Sequence, residues 1–245
     1  MKKFNLKFFC DFDGTVTKND IWVHSLGRFI KNQEKFKKIC DDFSLCLITG
    51  RDCIRKELEL VEDFDIYTFN KYLDEEELDD NFKVFTEFCE DNNYEIILVS
   101  EGLDYYIKYI LNKEDINLRY YCNKMIIKNI NGKIKLDCEF PYPDEHCNFC
   151  GMSKRNIILK HTNDYDNDVS VFIGDGVSDF CAANYADFVF AKKALASYCW
   201  KNNITYFEFN NFSDIVKKIE KLVSQNKIKH RQTAKYNRRE VFLGG

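Results

Sequence analysis

The sequence predicts an α/β protein: a doubly wound parallel sheet with a small helical cap inserted after the first strand, plus a β-hairpin. Three observations carry that prediction. Short apolar runs (NLKFFC, YEIILVS and VSVFIG) each end on a loop of Asp, Ser or Gly, as buried strands do when they deliver polar residues at their C-terminal ends. Helical periodicity fills the intervals from residue 81 onward, and strands that alternate with helices build parallel sheets. Between the first run and that alternation, residues 20–80 show long, densely charged stretches of helical period, with Ile21, Leu26, Phe29 and Ile30 on one face and Leu58, Val61 and Phe64 on another.

Taken in order, residues 5–10 form the first strand and lead into DFDGT. The helical insertion follows. Phe82, Phe85, Phe88 and Cys89 then line one face of a helix, YEIILVS is the second strand, and a helix spans about 103–112. MIIKNINGKIKLD holds two apolar runs around Asn131 and Gly132, the dipeptide favoured in type I′ turns, and predicts a hairpin. A loop with both prolines leads to Lys154 and a helix carrying Ile157, Ile158 and Leu159. VSVFIGDGVSD, DFVFA and ITYFEF are further strands, with a helix at 194–202 and a last one starting near Ser213, its expected N-cap. Residues 1–17 and 81–224 are therefore expected to form the core and 18–80 the cap. The basic stretch 225–245 reads as a solvated tail, with an extra helix as the alternative.

Composition narrows the function classes. Of 245 residues, 45% are hydrophobic and 31% charged, with two prolines and ten glycines, which excludes disordered and collagen-like chains. The net charge of −4 and the scatter of lysines among acids argue against nucleic acid as a partner. No stretch approaches the ~20 apolar residues of a membrane span, and the apolar N-terminal run is too short for a signal peptide. A cytoplasmic protein, monomer or homodimer, is expected, and eleven cysteines without a secretory signal read as reduced thiols. Cys147 and Cys150 have CxxC spacing, but no second pair completes a zinc site. His24, His146 and His161 read as structural.

Four polar elements arrive in chain order: DFDGT at 11–15, VSEG at 99–102, Lys154 and GDGVSD at 174–179. Together they offer carboxylates, a hydroxyl, an ammonium and sharp glycine turns, the components that phosphoryl transfer needs for positioning and charge neutralisation. A carboxylate approaches a phosphate dianion only if cations offset the repulsion. Mg2+ prefers oxygen ligands and bridges carboxylates to phosphate, so Asp11 and Asp175 are its natural pair. Lys154 adds a fixed charge, and Ser100 with the amides around Gly102 donates to phosphate oxygens. Asp13 suits a general acid that protonates the leaving alcohol and then deprotonates water. Gly14 permits the turn, and Thr15 is expected to hydrogen-bond within the loop and to sit at the phosphate.

These motifs resemble the haloacid dehalogenase superfamily, with its DxDx(T/V), a strand-end Ser or Thr, a Lys or Arg and a final acidic loop. The resemblance covers residues 5 to about 222 and implies a Rossmann-like core, Asp11 as nucleophile, Asp13 as acid and base, Ser100 and Lys154 as phosphate ligands, and Mg2+ on Asp175 and the Asp13 carbonyl with Asp179 supporting. VSEGLDYYI, YYCNKMII, CGMSK and DFVFAKKALASYCWKNNI are similar, more narrowly, to the phosphoserine-phosphatase-like branch and to its phosphatases of 2-hydroxy-3-keto-5-methylthiopentenyl 1-phosphate. Two departures stand out: Glu101, a phosphate- or substrate-site position, replaces a glycine, and Met152 and Ser153 replace a more cysteine-rich run.

In that branch the cap touches the non-phosphate part of the substrate, which places Asp20 and Arg55 as substrate-binding candidates; an arginine grips a carboxylate bidentately. The expected partner is a small phosphorylated metabolite. Phosphoserine, phosphoethanolamine or phosphocholine and pyridoxal phosphate are alternative substrates, and a phosphate-ligand sensor is the alternative of another class.

Overall fold

The computed structural model describes residues 4–243. In chain order the elements are β1 (Asn5–Cys10), α1 (Ile21–His24), α2 (Gln33–Ser44), α3 (Gly50–Glu59), α4 (Ile66–Asp74), α5 (Phe82–Asp91), β2 (Glu95–Leu103), α6 (Asp104–Lys113), β3 (Arg119–Ile130), β4 (Lys133–Glu139), α7 (Lys154–His161), β5 (Asp168–Gly174), α8 (Phe180–Ala183), β6 (Phe188–Ala191), α9 (Lys193–Lys201), β7 (Phe207–Glu208), α10 (Phe212–Ser224) and α11 (Gln232–Leu243). No helix among the described residues is long and apolar enough to cross a membrane.

The chain divides into two compact units. The first takes the chain up to Asp11, Leu78–Val99 and everything from Lys154 onward; the second takes Phe12–Glu77 and Ser100–Ser153. Residues 100–153, expected in the core, group in this division with residues 12–77.

In the first unit the parallel strands run in the order β2-β1-β5-β6-β7. β5 is buried along its whole length, which explains its unbroken apolar run, since a strand covered on both faces has no polar alternation. Asn5 pairs in register with Asp168 and Cys10 with Ile173, so β1 and β5 end side by side. Helix α10 starts at Phe212, one residue before the expected N-cap: Asn211, not Ser213, caps it by accepting from Ser213 N. Its Ile215, Ile219 and Leu222 are buried at helical spacing, each such burial stabilising by roughly 1.5–3 kcal/mol. Phe212 meets Phe82 and Phe85 of α5 with ring centroids 4.9 Å apart in both pairs.

The basic stretch at the C-terminus is not a solvated tail. It forms α11, and Arg238 on it is 1% exposed. The guanidinium bonds Asp164 Oδ1 at 2.6 Å, Asp187 Oδ1 at 3.0 Å and the Tyr185 carbonyl at 2.5 Å. A buried cation is retained only where fixed carboxylates offset its desolvation, and both are supplied by distant residues.

The second unit holds α1–α4, the helical insertion that the periodicity predicts, with Phe29, Phe64 and Phe69 packed ring on ring. The hairpin β3–β4 is antiparallel, with Ile130 opposite Lys133. Asn131 and Gly132 both have positive φ, 52° and 78°, as a type I′ turn requires. β3 extends further than its apolar run and lies beside the end of β2, where Asn123 donates to the Glu101 carbonyl at 2.6 Å.

The cysteines differ in exposure, with Cys40, Cys150 and Cys181 half-buried. Cys10, Cys53, Cys89, Cys122, Cys138 and Cys199 are buried free thiols, whereas Cys46 and Cys147 are exposed.

Candidate active site

Asp11 follows the last residue of β1, and its N–H donates to Ile173 O of β5 at 2.9 Å. Strand pairing therefore fixes its backbone. Asp175 follows the end of β5, and the carboxylates of Asp11, Asp175 and Asp179 offer oxygens within 4.8 Å of one another. All three residues are buried. Lys154 opens α7 and is 2% exposed; its ammonium bonds Asp11 Oδ1 at 2.5 Å, Asp179 Oδ1 at 2.5 Å and Ser178 Oγ at 3.0 Å. The other Asp179 oxygen accepts from the N–H groups of Asp175 and Gly176 at 2.9 and 3.0 Å, which makes it the brace of its own loop.

Charge is the dominant feature of this cluster. Burial and the neighbouring Asp179 push the Asp11 carboxyl well above the ordinary range, against the pull of Lys154. Asp179 is raised as well, by burial first and by Asp175. Burial opposes the charge on Lys154, but the two carboxylates hold its pKa above the usual lysine value. Lys193, at the start of α9, adds a 2.7 Å ion pair to Asp175 Oδ2. Three converging buried carboxylates fit a hard divalent cation such as Mg2+, which binds through oxygen and offsets their mutual repulsion.

The second unit holds the other group of predicted residues. Asp13 lies in the turn after β1, where Gly14 has φ +69°. Asp13 Oδ2 accepts from Ser100 Oγ and from Tyr106 Oη, each at 2.9 Å. Ser100 Oγ also accepts from Gly102 N at 2.8 Å. A side chain at Gly102 has no space: its Cβ would lie 1.8 Å from Tyr106 Oη and 2.6 Å from Asp13 Oδ2. Tyr106 is fully buried, and burial together with Asp13 raises its pKa well above that of a free phenol, so it remains a donor.

Some expectations land elsewhere. The loop bonds expected of Thr15 are made by Thr17, whose hydroxyl donates to Phe12 O and Asn19 O and accepts from Gly14 N. Thr15 is buried, with no protein partner for its hydroxyl among the described residues. Asp20 is exposed and caps α1, accepting from Val23 N at 3.3 Å. Arg55 is exposed with its guanidinium 5.1 Å from the Phe140 ring centroid. The Glu101 carboxylate accepts from Gly151 N at 3.0 Å. Ser178, within GDGVSD, and Tyr106 and Lys193, within VSEGLDYYI and DFVFAKKALASYCWKNNI, were given no role by the sequence reading; only the fold brings them to Lys154, Asp13 and Asp175.

The chain is similar to known proteins in sequence and in fold. The family of haloacid dehalogenase-like hydrolases matches residues 8–184. A Bacillus cereus protein named 2-hydroxy-3-keto-5-methylthiopentenyl-1-phosphate phosphatase is 30% identical over 229 residues, covering 92% of this chain and 97% of that protein. One of the same name from Bacillus thuringiensis subsp. konkukian is 29% identical over 222 residues, covering 89% and 98%. Among solved structures, a phosphoserine phosphatase captured as a phospho-aspartyl intermediate analogue superposes with a TM-score of 0.67 at 20% identity, covering 88% of this chain and 99% of that one. A substrate-bound phosphoserine phosphatase gives 0.67 at 21%, covering 89% and 99%. At such identities these two show the shared fold alone. The α/β sheet, the ordered motifs and the family match together lead to one statement: the chain belongs to the haloacid dehalogenase-like hydrolases.

Proposed function

We propose that the protein is a magnesium-dependent phosphatase that hydrolyses a small phosphorylated metabolite through an aspartyl-phosphate on Asp11. The single observation that carries this reading is the buried cluster of Asp11, Asp175 and Asp179 around the Lys154 ammonium. Asp11, Asp175, Asp179 and the Asp13 carbonyl would hold the metal. When bound, Mg2+ supplies the positive charge that lets a carboxylate approach a phosphate dianion.

The chain's own groups perform the rest. An Asp11 oxygen attacks phosphorus as the bond to the alkyl oxygen breaks, and the Asp13 carboxyl gives its proton to the departing alkoxide. Asp13, now a carboxylate, takes a proton from water, whose oxygen attacks the same phosphorus. The acyl phosphate bond then breaks, releasing inorganic phosphate and restoring Asp11. Donors on Asp13 Oδ2 from Ser100 and Tyr106 hold that carboxyl in one orientation for both proton transfers. Lys154 stays protonated and steadies charge on the transferring group.

For the substrate we propose 2-hydroxy-3-keto-5-methylthiopentenyl 1-phosphate, on the strength of relatives that match almost end to end; phosphoserine is the alternative, since the fold is shared with its phosphatases. Hydrolysis of p-nitrophenyl phosphate should require Mg2+ and disappear in Asp11→Asn, and activity surviving that change refutes the nucleophile assignment. kcat/KM on the keto phosphate and on phosphoserine then decides the substrate.

A further inference from the structure

Glu101 stands between Ser100 and Gly102, yet a carboxylate there would repel a phosphate dianion. The structure gives it other work. Its Oε2 accepts from the N–H groups of Gly151 at 3.0 Å and Met152 at 3.4 Å, while its carbonyl is held by Asn123. Gly151 is matched to this arrangement: a Cβ there would lie 2.7 Å from Oε2 and 2.9 Å from the Phe140 ring.

The same short segment seats the cap helices from its other side. Gly50 N, opening α3, donates to Phe149 O at 2.7 Å, and Arg51 Nε donates to Cys150 O at 2.9 Å. Phe43 of α2 stacks on Phe149 with centroids 6.0 Å apart. The start of α3 comes so near that a Cβ on Gly50 would be 3.7 Å from Glu101 Oε2. A carboxylate is favourably placed there, among backbone N–H donors and at the positive end of a helix.

We propose that Glu101 is a positioning residue: its carboxylate fixes residues 149–152 as the seat on which α2 and α3 rest, and thereby fixes the cap surface that meets the non-phosphate part of the substrate. This rests on the phosphatase reading above for its kinetic consequence, though not for its structural one. Only the backbone at this position is left to serve the phosphate.

The experiment compares wild type, Glu101→Ala and Glu101→Gln in three measurements. Amide exchange at Gly151 and Met152, followed by NMR, should accelerate about tenfold or more in the Ala variant, as the loss of a hydrogen bond to a charged group implies. KM for p-nitrophenyl phosphate should rise about tenfold with kcat within roughly threefold, and Gln, which keeps one acceptor oxygen, should fall between Ala and wild type. The Ki of inorganic phosphate, which offers the cap nothing to hold, should move less than about twofold. Unchanged amide exchange, a KM that does not move, or a lower Ki, which would mean the charge had faced the phosphate, overturns the proposal. If Glu101→Ala does not fold, the same readings on Glu101→Gln decide it. A wild type inactive on every phosphate ester would defeat the phosphatase reading and leave the exchange result to judge Glu101.

Discussion

Replacing Arg238 by Met probes the element that the sequence described least well. The guanidinium is buried with six nitrogen–oxygen contacts to Asp164, Asp187, Ser170 and Tyr185. Methionine fills much of the volume but leaves Asp187, whose side chain is 0% exposed, without its cation. Breaking one side of a buried pair costs about 3–5 kcal/mol, and a chain of this size loses roughly 2–4 °C per kcal/mol. The midpoint should therefore fall by about 6–20 °C at neutral pH. The loss should also depend on pH. Burial raises the Asp187 carboxyl, but the His230 ring, the Arg238 charge and Ser170 N–H together hold it below the ordinary range. A depressed carboxyl contributes stability above its unfolded value of about 3.9 and loses it as pH falls through the folded value. The gap between variant and wild type should accordingly be widest near neutrality and shrink below about pH 4. Adding Asp187→Asn to the variant should recover part of the loss, because the stranded charge goes with it. Calorimetric melts across that pH range check the reasoning; a midpoint change under about 2 °C, or a gap constant in pH, refutes it.

Two further outcomes are expected. Burial pushes the Glu57 carboxyl up to about 7, with Asp20 adding to the rise and hydrogen bonds from Cys40 and Cys53 opposing it. A carboxyl raised this way binds its proton more tightly when folded, so stability declines between about pH 4.5 and 7 and then levels; Glu57→Gln should lack that slope and gain up to roughly 3 kcal/mol relative to wild type by pH 8, and parallel pH curves would contradict this. Gly102→Ala should lower kcat on p-nitrophenyl phosphate by about 10²-fold or more, since its methyl must displace both Tyr106 and Asp13; near-normal turnover would show that the pair is not needed.

What was legible in the chain follows its physics. The strands were readable because complete burial leaves an unbroken apolar run, as in VSVFIG, and the hairpin because Asn131 and Gly132 declare their backbone conformation. The positions of Asp11, Lys154, Asp175 and Asp179 were readable from order alone, and the structure brings those four together. Roles that depend on where a long side chain reaches were not. Tyr106 sits in a helix among other tyrosines, and nothing local directs its hydroxyl to Asp13. Lys193 is aimed at Asp175 by two backbone bonds, Lys192 N to Gly174 O and Leu195 N to Asp175 O. The C-terminal helix has a mixed, basic pattern because its anchor is an ion pair, which leaves no hydrophobic period to detect.

The six buried thiols give the protein an internal reporter of opening. Cys10, Cys89 and Cys199 belong to the first unit, and Cys53, Cys122 and Cys138 to the second. Shielded and held in the neutral form by burial, they react with an alkylating reagent only when the chain around them unfolds, since the thiolate is the reactive species. Mass labelling after a timed pulse then reads which half of the chain loosens first, from natural residues and with no engineered probe.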